Sequence, residues 1–143
     1  MPLRPARNLQ IHHRTKDGIW ILDLRGPLVI GDSETRLRAA IVALAEARTV
    51  KIVLNLAGVT EIDDDGLGAL VFCYARIGEA GGALKLVHLT LDLSLMVLTK
   101  LDTVFEVFTD EQDAVNSFFP GRAVPRYDIL KWIHAQNGPD LPQ

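Results

Sequence analysis

An α/β fold is predicted for this 143-residue chain, with a mostly parallel sheet of four to five strands, an opening antiparallel hairpin and about four helices. Three observations carry the prediction. Short apolar runs of strand character alternate with longer runs of helical period, the order that produces parallel sheets covered by helices. Residues 50–56 form an apolar run interrupted only by Lys51 and Asn55, which suits a central parallel strand buried on both faces. Two alternating segments near the start are separated by Lys16-Asp17-Gly18, a turn short enough to make them an antiparallel hairpin.

In chain order, residues 9–15 place Leu9, Ile11 and His13 on one side and Gln10, His12 and Arg14 on the other. Residues 19–24 follow as a second strand with Trp20, Leu22 and Leu24 on one face, and Gly26-Pro27 is expected to break it. A helix is expected after Gly31, with Asp32 or Ser33 as N-cap, Glu34 in its first turn, and Leu37, Ala40, Ile41, Leu44 and Ala47 at helical spacing. The strand at residues 50–56 runs into a short loop, 57–62, and then a helical run over 67–80 that Gly81-Gly82 stops. Residues 83–87 read as another buried strand. Residues 91–101 read as a helix with two apolar stripes, Leu93/Met96/Val97/Leu101 and Leu91/Leu95/Leu98, either of which could face the core. A short strand at 104–108 precedes a last helix at 110–119, capped by Thr109 or Asp110, with Ala114, Val115 and Phe118 inward. Pro120-Gly121 and Pro125 then bracket a turn, and residues 127–135 suit one short helix.

Composition bounds the function. Hydrophobic residues at 48% and charged residues at 23% describe a globular domain of ordinary size. The formal net charge of −3 gives no electrostatic footprint for nucleic acid. No apolar run approaches the roughly 20 residues that span a bilayer, and the first residues lack a secretory h-region, so no membrane insertion and a cytoplasmic location are expected. The single Cys73 has no disulfide or metal companion and suits a buried or half-buried thiol. His12 and His13 are strand neighbours and point to opposite faces, so the pair cannot chelate one metal. Neither a cofactor nor a metal is expected.

The segment richest in chemistry is VKIVLNLAGVTEIDDDGLG, residues 50–68, where three acids, Asp63, Asp64 and Asp65, meet Gly66 at a helix start. Acids are favoured there because a carboxylate caps free N–H groups and meets the positive end of the helix dipole. An Asp nucleophile of the phosphatase kind would need to sit at the end of the strand. Residues 57–62 intervene, and no acidic pair with a suitable lysine follows, so no enzyme is expected. Thr60 is the only hydroxyl in the expected loop.

This strand, loop, D-x-x-G and helix resembles the signature of the STAS family, the anti-sigma-factor antagonists and related domains. The resemblance covers residues 9–119 and is supported by Leu24-Arg25-Gly26-Pro27-Leu28, by Lys100-Leu101-Asp102-Thr103-Val104-Phe105 and by the acid-rich start of the last helix, Asp110-Glu111-Gln112-Asp113-Ala114-Val115. It divides the chain into a tail (1–8), a STAS domain (9–119) and a C-terminal extension (120–143) with a short helix. The family motif usually reads Asp-Ser-Ser-Gly or Asp-Ser-Thr-Gly, with the first hydroxyl residue phosphorylated; here Asp64 occupies that place. The resemblance implies a bacterial regulatory interaction module whose partner is an anti-sigma factor of the kinase type. Its docking residues would be Asp63, Asp64, Asp65, Gly66 and Leu67, with Ala69, Phe72 and Arg76 on the outer face of the following helix. On that helix Leu67, Leu70, Val71, Tyr74 and Ile77 are expected to meet the sheet, and Ala69, Phe72, Cys73 and Arg76 to face away. A partner would cover this outer face, or else the C-terminal extension would, through Tyr127, Ile129, Trp132 or Ile133. The family also includes structural subunits of ABC transporters and stress-signalling assemblies, the alternative for this chain; homo-oligomerisation is left open.

Overall fold

The computed structural model describes residues 8–88 and 105–124, and the helices expected at 91–101 and 127–135 lie outside them. Strand β1 (Gln10–Lys16) pairs antiparallel with β2 (Ile19–Leu28). Asp17 and Gly18 join them with φ of 55° and 81°, the two positive values of a hairpin turn matched to strand twist. Strands β3 (Lys51–Ile62), β4 (Ala83–Val87) and β5 (Val107–Phe108) extend the sheet in parallel, giving the spatial order β1-β2-β3-β4-β5. The strand expected at 104–108 is this two-residue β5. Helices α1 (Asp32–Glu46) and α2 (Asp64–Glu79) make the crossovers, and α3 (Glu111–Asn116) follows the last strand. The α/β class, the hairpin and the parallel sheet are as the sequence predicts.

Two strands are longer than expected. Gly26-Pro27 does not end β2. The proline has no β1 neighbour to which it would owe an N–H, because β1 stops at Gln10 opposite Arg25. β3 runs six residues past Leu56, so the expected loop at 57–62 is strand, and Thr60 lies exposed along it. The register explains why. Between Asp23↔Asn55 and Arg25↔Gly58, and again between Gly26↔Val59 and Pro27↔Glu61, β3 carries one residue more than β2. Each bulge flips the alternation, so the core residues run Ile52, Leu54, Leu56, then Val59 and Ile62.

The sheet buries both faces, unequally. On the first, Leu22, Leu24, Ile52, Leu54, Leu84 and Leu86 pack under Leu37 and Ile41 of α1 and Leu67, Leu70 and Ile77 of α2. The inner stripe of α1 includes Ala45, while Ala47 is exposed beyond the helix end. Its cap position is Gly31, whose carbonyl accepts from Thr35, rather than Asp32 or Ser33. On the second face Ile19, Ile21, Val53, Val87 and Phe108 pack under Ala114 and Val115 of α3, with Phe118 alongside. Asp110 caps α3, accepting from the Asp113 N–H at 3.1 Å. Lys85 is buried on this face and fully engaged. Its Nζ donates to Ser117 Oγ (2.8 Å), pairs with Glu106 (3.2 Å) and lies 4.5 Å from the Phe118 ring centre.

The C-terminus of α2 sets two glycines in opposite roles. Gly81 (φ 90°) and Gly82 donate to the carbonyls of Gly78 and Ile77, a Schellman ending. A Cβ on Gly82 would lie 2.0 Å from the Val50 carbonyl oxygen, whereas one on Gly78 would meet nothing within 4 Å. Gly82→Ala should therefore lower stability by about 1–3 kcal/mol, as overpacking does. Gly78→Ala should raise it by about 0.5–1 kcal/mol through helix propensity. Urea unfolding of the two variants measures both; equal effects would mean the close approach at Gly82 is relieved without cost.

Candidate functional site

The acidic segment lies where two strands end and α2 begins. β3 delivers Asp63 directly at its end, in extended conformation (φ −113°, ψ −174°), as the N-cap of α2. One carboxylate oxygen, Oδ1, accepts the Gly66 N–H at 2.8 Å; the other, Oδ2, accepts the Ile30 N–H at 3.0 Å. A single side chain thus ties the loop between β2 and α1 to the start of α2. The N–H of Ile30 first, and that of Gly66 among other backbone groups, hold the Asp63 carboxyl below the usual carboxylate range. Gly66 completes the joint, since a Cβ there would lie 2.0 Å from the Leu28 carbonyl oxygen. The motif glycine is demanded by close approach rather than by its φ.

Asp64 and Asp65 occupy the first turn of α2 and are exposed, their charges set at the positive end of the helix. Beside them stands Ile30, 66% exposed and held by its backbone to Asp63. Sequence reasoning missed Ile30; an apolar residue immediately before the Gly31 cap, past the end of β2, was its only signal. The six-residue gap that argued against an Asp nucleophile does not exist, because β3 reaches Ile62. What distinguishes Asp63 instead is that both its oxygens accept backbone N–H groups. Among the described residues no cluster of three or more His, Cys, Asp or Glu is placed to hold a metal, and no helix is long and apolar enough to cross a membrane.

The expected outer face of α2 is corrected. Ala69 and Cys73 are fully buried, Gly66 and Leu67 are buried as well, and Tyr74, expected inward, is 41% exposed with an edge contact to Phe105. The cause is α1, which packs along α2 and widens its buried arc beyond the side that meets the sheet. Phe72 is half-buried against the core, with the Arg38 guanidinium 4.9 Å from its ring centre and Glu34 holding Arg38 at 2.8 Å. Arg76 is also half-buried. Burial pushes the Cys73 thiol up to about 12, which makes it inert as a nucleophile at neutral pH. His13 stacks on Trp20, ring centres 4.9 Å apart.

This chain belongs to the STAS domain family, whose model matches residues 10–114. Solved structures share the fold. A Thermotoga maritima protein proposed to be an anti-sigma factor antagonist aligns with a TM-score of 0.69 at 23% identity, over 75% of this chain and 92% of its own. The Bacillus cell fate determinant SpoIIAA in its phosphorylated form aligns with a TM-score of 0.58 at 17% identity, over 77% and 98%. The murine anion transporter Slc26a9 aligns with a TM-score of 0.60 at 18% identity, over 77% of this chain but 22% of the transporter. At these identities the likeness is one of fold. Comparison with curated protein sequences finds no match.

The double role of Asp63 makes a stability prediction. Asp63→Ala should cost ~0.5–2 kcal/mol at neutral pH, the usual range for a lost N-cap. Because the folded carboxyl titrates below its unfolded value of about 3.9, its stabilisation is present above that pH and fades as pH falls through the folded value. The gap between parent and variant should therefore close on acidification. Denaturant melts from pH 7 down to pH 3 test this, and a gap that stays constant would remove the carboxylate from the account.

Proposed function

We propose that this STAS domain is a non-enzymatic regulatory module of the anti-sigma-factor-antagonist kind, in which Asp64 stands where relatives carry a phosphorylatable serine. The observation that carries the reading is the division of labour between adjacent acids. Asp63 is consumed by the cap, while Asp64, one residue on, is exposed at the first position of the helix. A group there can be read by a partner without being needed by the cap. Phosphoserine brings about −1.5 to −2 charges and three acceptor oxygens. Aspartate brings one charge and two oxygens, so Asp64 imitates the phosphorylated state in part, and it has no hydroxyl for a serine kinase to esterify.

The partner in this reading is a kinase-type anti-sigma factor in a bacterial cytoplasm. Asp64 and Asp65 would touch it directly; Asp63, Gly66 and Leu67 would shape the surface from beneath. Phe72 and Arg76 would contribute only at the half-buried margin of α2, and Ala69 not at all. The acid would hold the module in its released, low-affinity form.

Asp64→Ser tests the reading. The variant should bind the host's kinase-type anti-sigma factor more tightly than the parent and become its substrate, while the parent incubated with ATP stays unmodified at residues 63–65. Stability should change by no more than ~0.3–1 kcal/mol, the worth of a first-turn charge. Calorimetry, mass spectrometry and a urea melt read the three outcomes. Equal binding of parent and variant, with no phosphate on the introduced serine, would reject the mimic and favour a fixed interface in a larger assembly. Phosphate on Thr60 of the parent would show that the protein can be switched after all.

A further inference from the structure

The second face of the sheet is apolar only beneath α3. Beyond that helix it is lined by polar side chains around the first bulge of β3, where a cavity of about 400 Å³ opens. Bulges concentrate next to binding sites because they re-aim side chains, and this one is stabilised by a chain of bonds from four elements. The extra residue leaves the Ala57 N–H to be taken by Asn55 Oδ1 at 3.0 Å. Asn55 Nδ2 donates to Asp23 Oδ1 at 2.7 Å. Arg14 donates through Nε and Nη2 to both oxygens of Asp23, at 2.8 and 3.1 Å, and through Nη1 to Glu111 on α3 at 2.9 Å. Every carboxylate oxygen of this network is committed, and so is Arg14.

Arg25 is the exception. It lines the same cavity, and among the described residues it makes no hydrogen bond or ion pair; the Asp23 charge acts on it only at a distance. Its stem lies against Gly58, where a Cβ would come within 2.9 Å of Arg25 Cγ and 2.8 Å of the Leu24 carbonyl oxygen. The glycine thus leaves room for the arginine at the rim of the bulge. Lys16 stands 4.0 Å from Glu111. Three cations (Arg14, Lys16, Arg25) therefore stand against two carboxylates (Asp23, Glu111), and of the two cations that line the cavity, Arg14 is committed and Arg25 has donors to spare.

We propose that this cavity is a binding site for a small organic anion, a carboxylate or a phosphate ester, held by the guanidinium of Arg25 at the β3 bulge. The volume lies at the lower end of ligand-sized pockets, about 300–1,000 Å³, and a planar guanidinium with free donors is suited to two-point recognition of either oxyanion. A cation is disfavoured because the carboxylates present are already saturated. The site is separate from the Asp64 surface and does not rest on that surface's function.

The test uses the whole chain, ¹⁵N-labelled, titrated at constant ionic strength with inorganic phosphate and, separately, with succinate. Saturable amide shifts confined to residues 23–25 and 55–58 are expected with at least one anion, and which anion saturates identifies the headgroup class. Arg25→Gln should weaken that binding about tenfold or more, the loss of a charge-assisted bond pair. Arg36→Gln, an exposed arginine on α1, should leave it unchanged. Shifts that do not saturate with either anion, shifts spread over the surface, or equal affinity in Arg25→Gln would overturn the proposal.

Discussion

The arrangement of this domain depends on one carboxylate. Asp63 accepts two backbone N–H groups from different segments, so the end of β3, the loop after β2 and the first turn of α2 become a single joint. The part-buried Gly66 N–H would otherwise lose its acceptor, within the ~0.5–2 kcal/mol of a lost N-cap, and the Ile30 N–H would lose its tie to the helix start. The joint also fixes how closely the strands' ends approach the helix, which is why a residue without a side chain must follow at Gly66, against the Leu28 carbonyl. Three properties of the motif (acid, spacing and glycine) are then consequences of one geometry.

That geometry separates the capping acid from the exposed acid that follows it. The residue after the capping acid starts a helix, is exposed, and sits in a field that favours negative charge whether it comes from aspartate or from a phosphate. A substitution at 64 alters the charge presented at the exposed helix start, while the cap bond and the tie to the loop are accepted by the Asp63 carboxylate. A second separation runs through the sheet. The face under α1 and α2 is apolar along its length, but the face under α3 changes from apolar to polar where the short helix ends.

Much of this was legible in the sequence, and the rest fails for identifiable reasons. The hairpin announced itself through Asp17-Gly18, and the central strand through its apolar run, because both signals are local. The second half of β3 was hidden because its two bulges break the alternation by which a strand is recognised. The orientation of α2 was misjudged because a helical stripe was assigned to one neighbour. The helix has two, the sheet and α1, so Ala69 and Cys73 are buried and Tyr74 is released. The polar network of Arg14, Asp23, Asn55 and Glu111 could not be seen at all. Its members come from four elements, and no spacing along the chain relates them.

Every strand of the sheet lies next to its neighbour in sequence, so the sheet can be laid down in the order in which the chain is made. Its second face cannot. Arg14 waits 97 residues for Glu111, and Asp17 waits 105 for Arg122. Ile19, Ile21 and Val53 likewise stay uncovered until Ala114 and Val115 arrive. At synthesis rates of about 5–20 residues per second, the first strand pair is exposed on that side for roughly 5–20 s before its cover exists. Among the described residues, the six-residue α3, made late and holding both the apolar lid and the ion-pair partner of β1, is therefore the element that closes this face of the nascent domain.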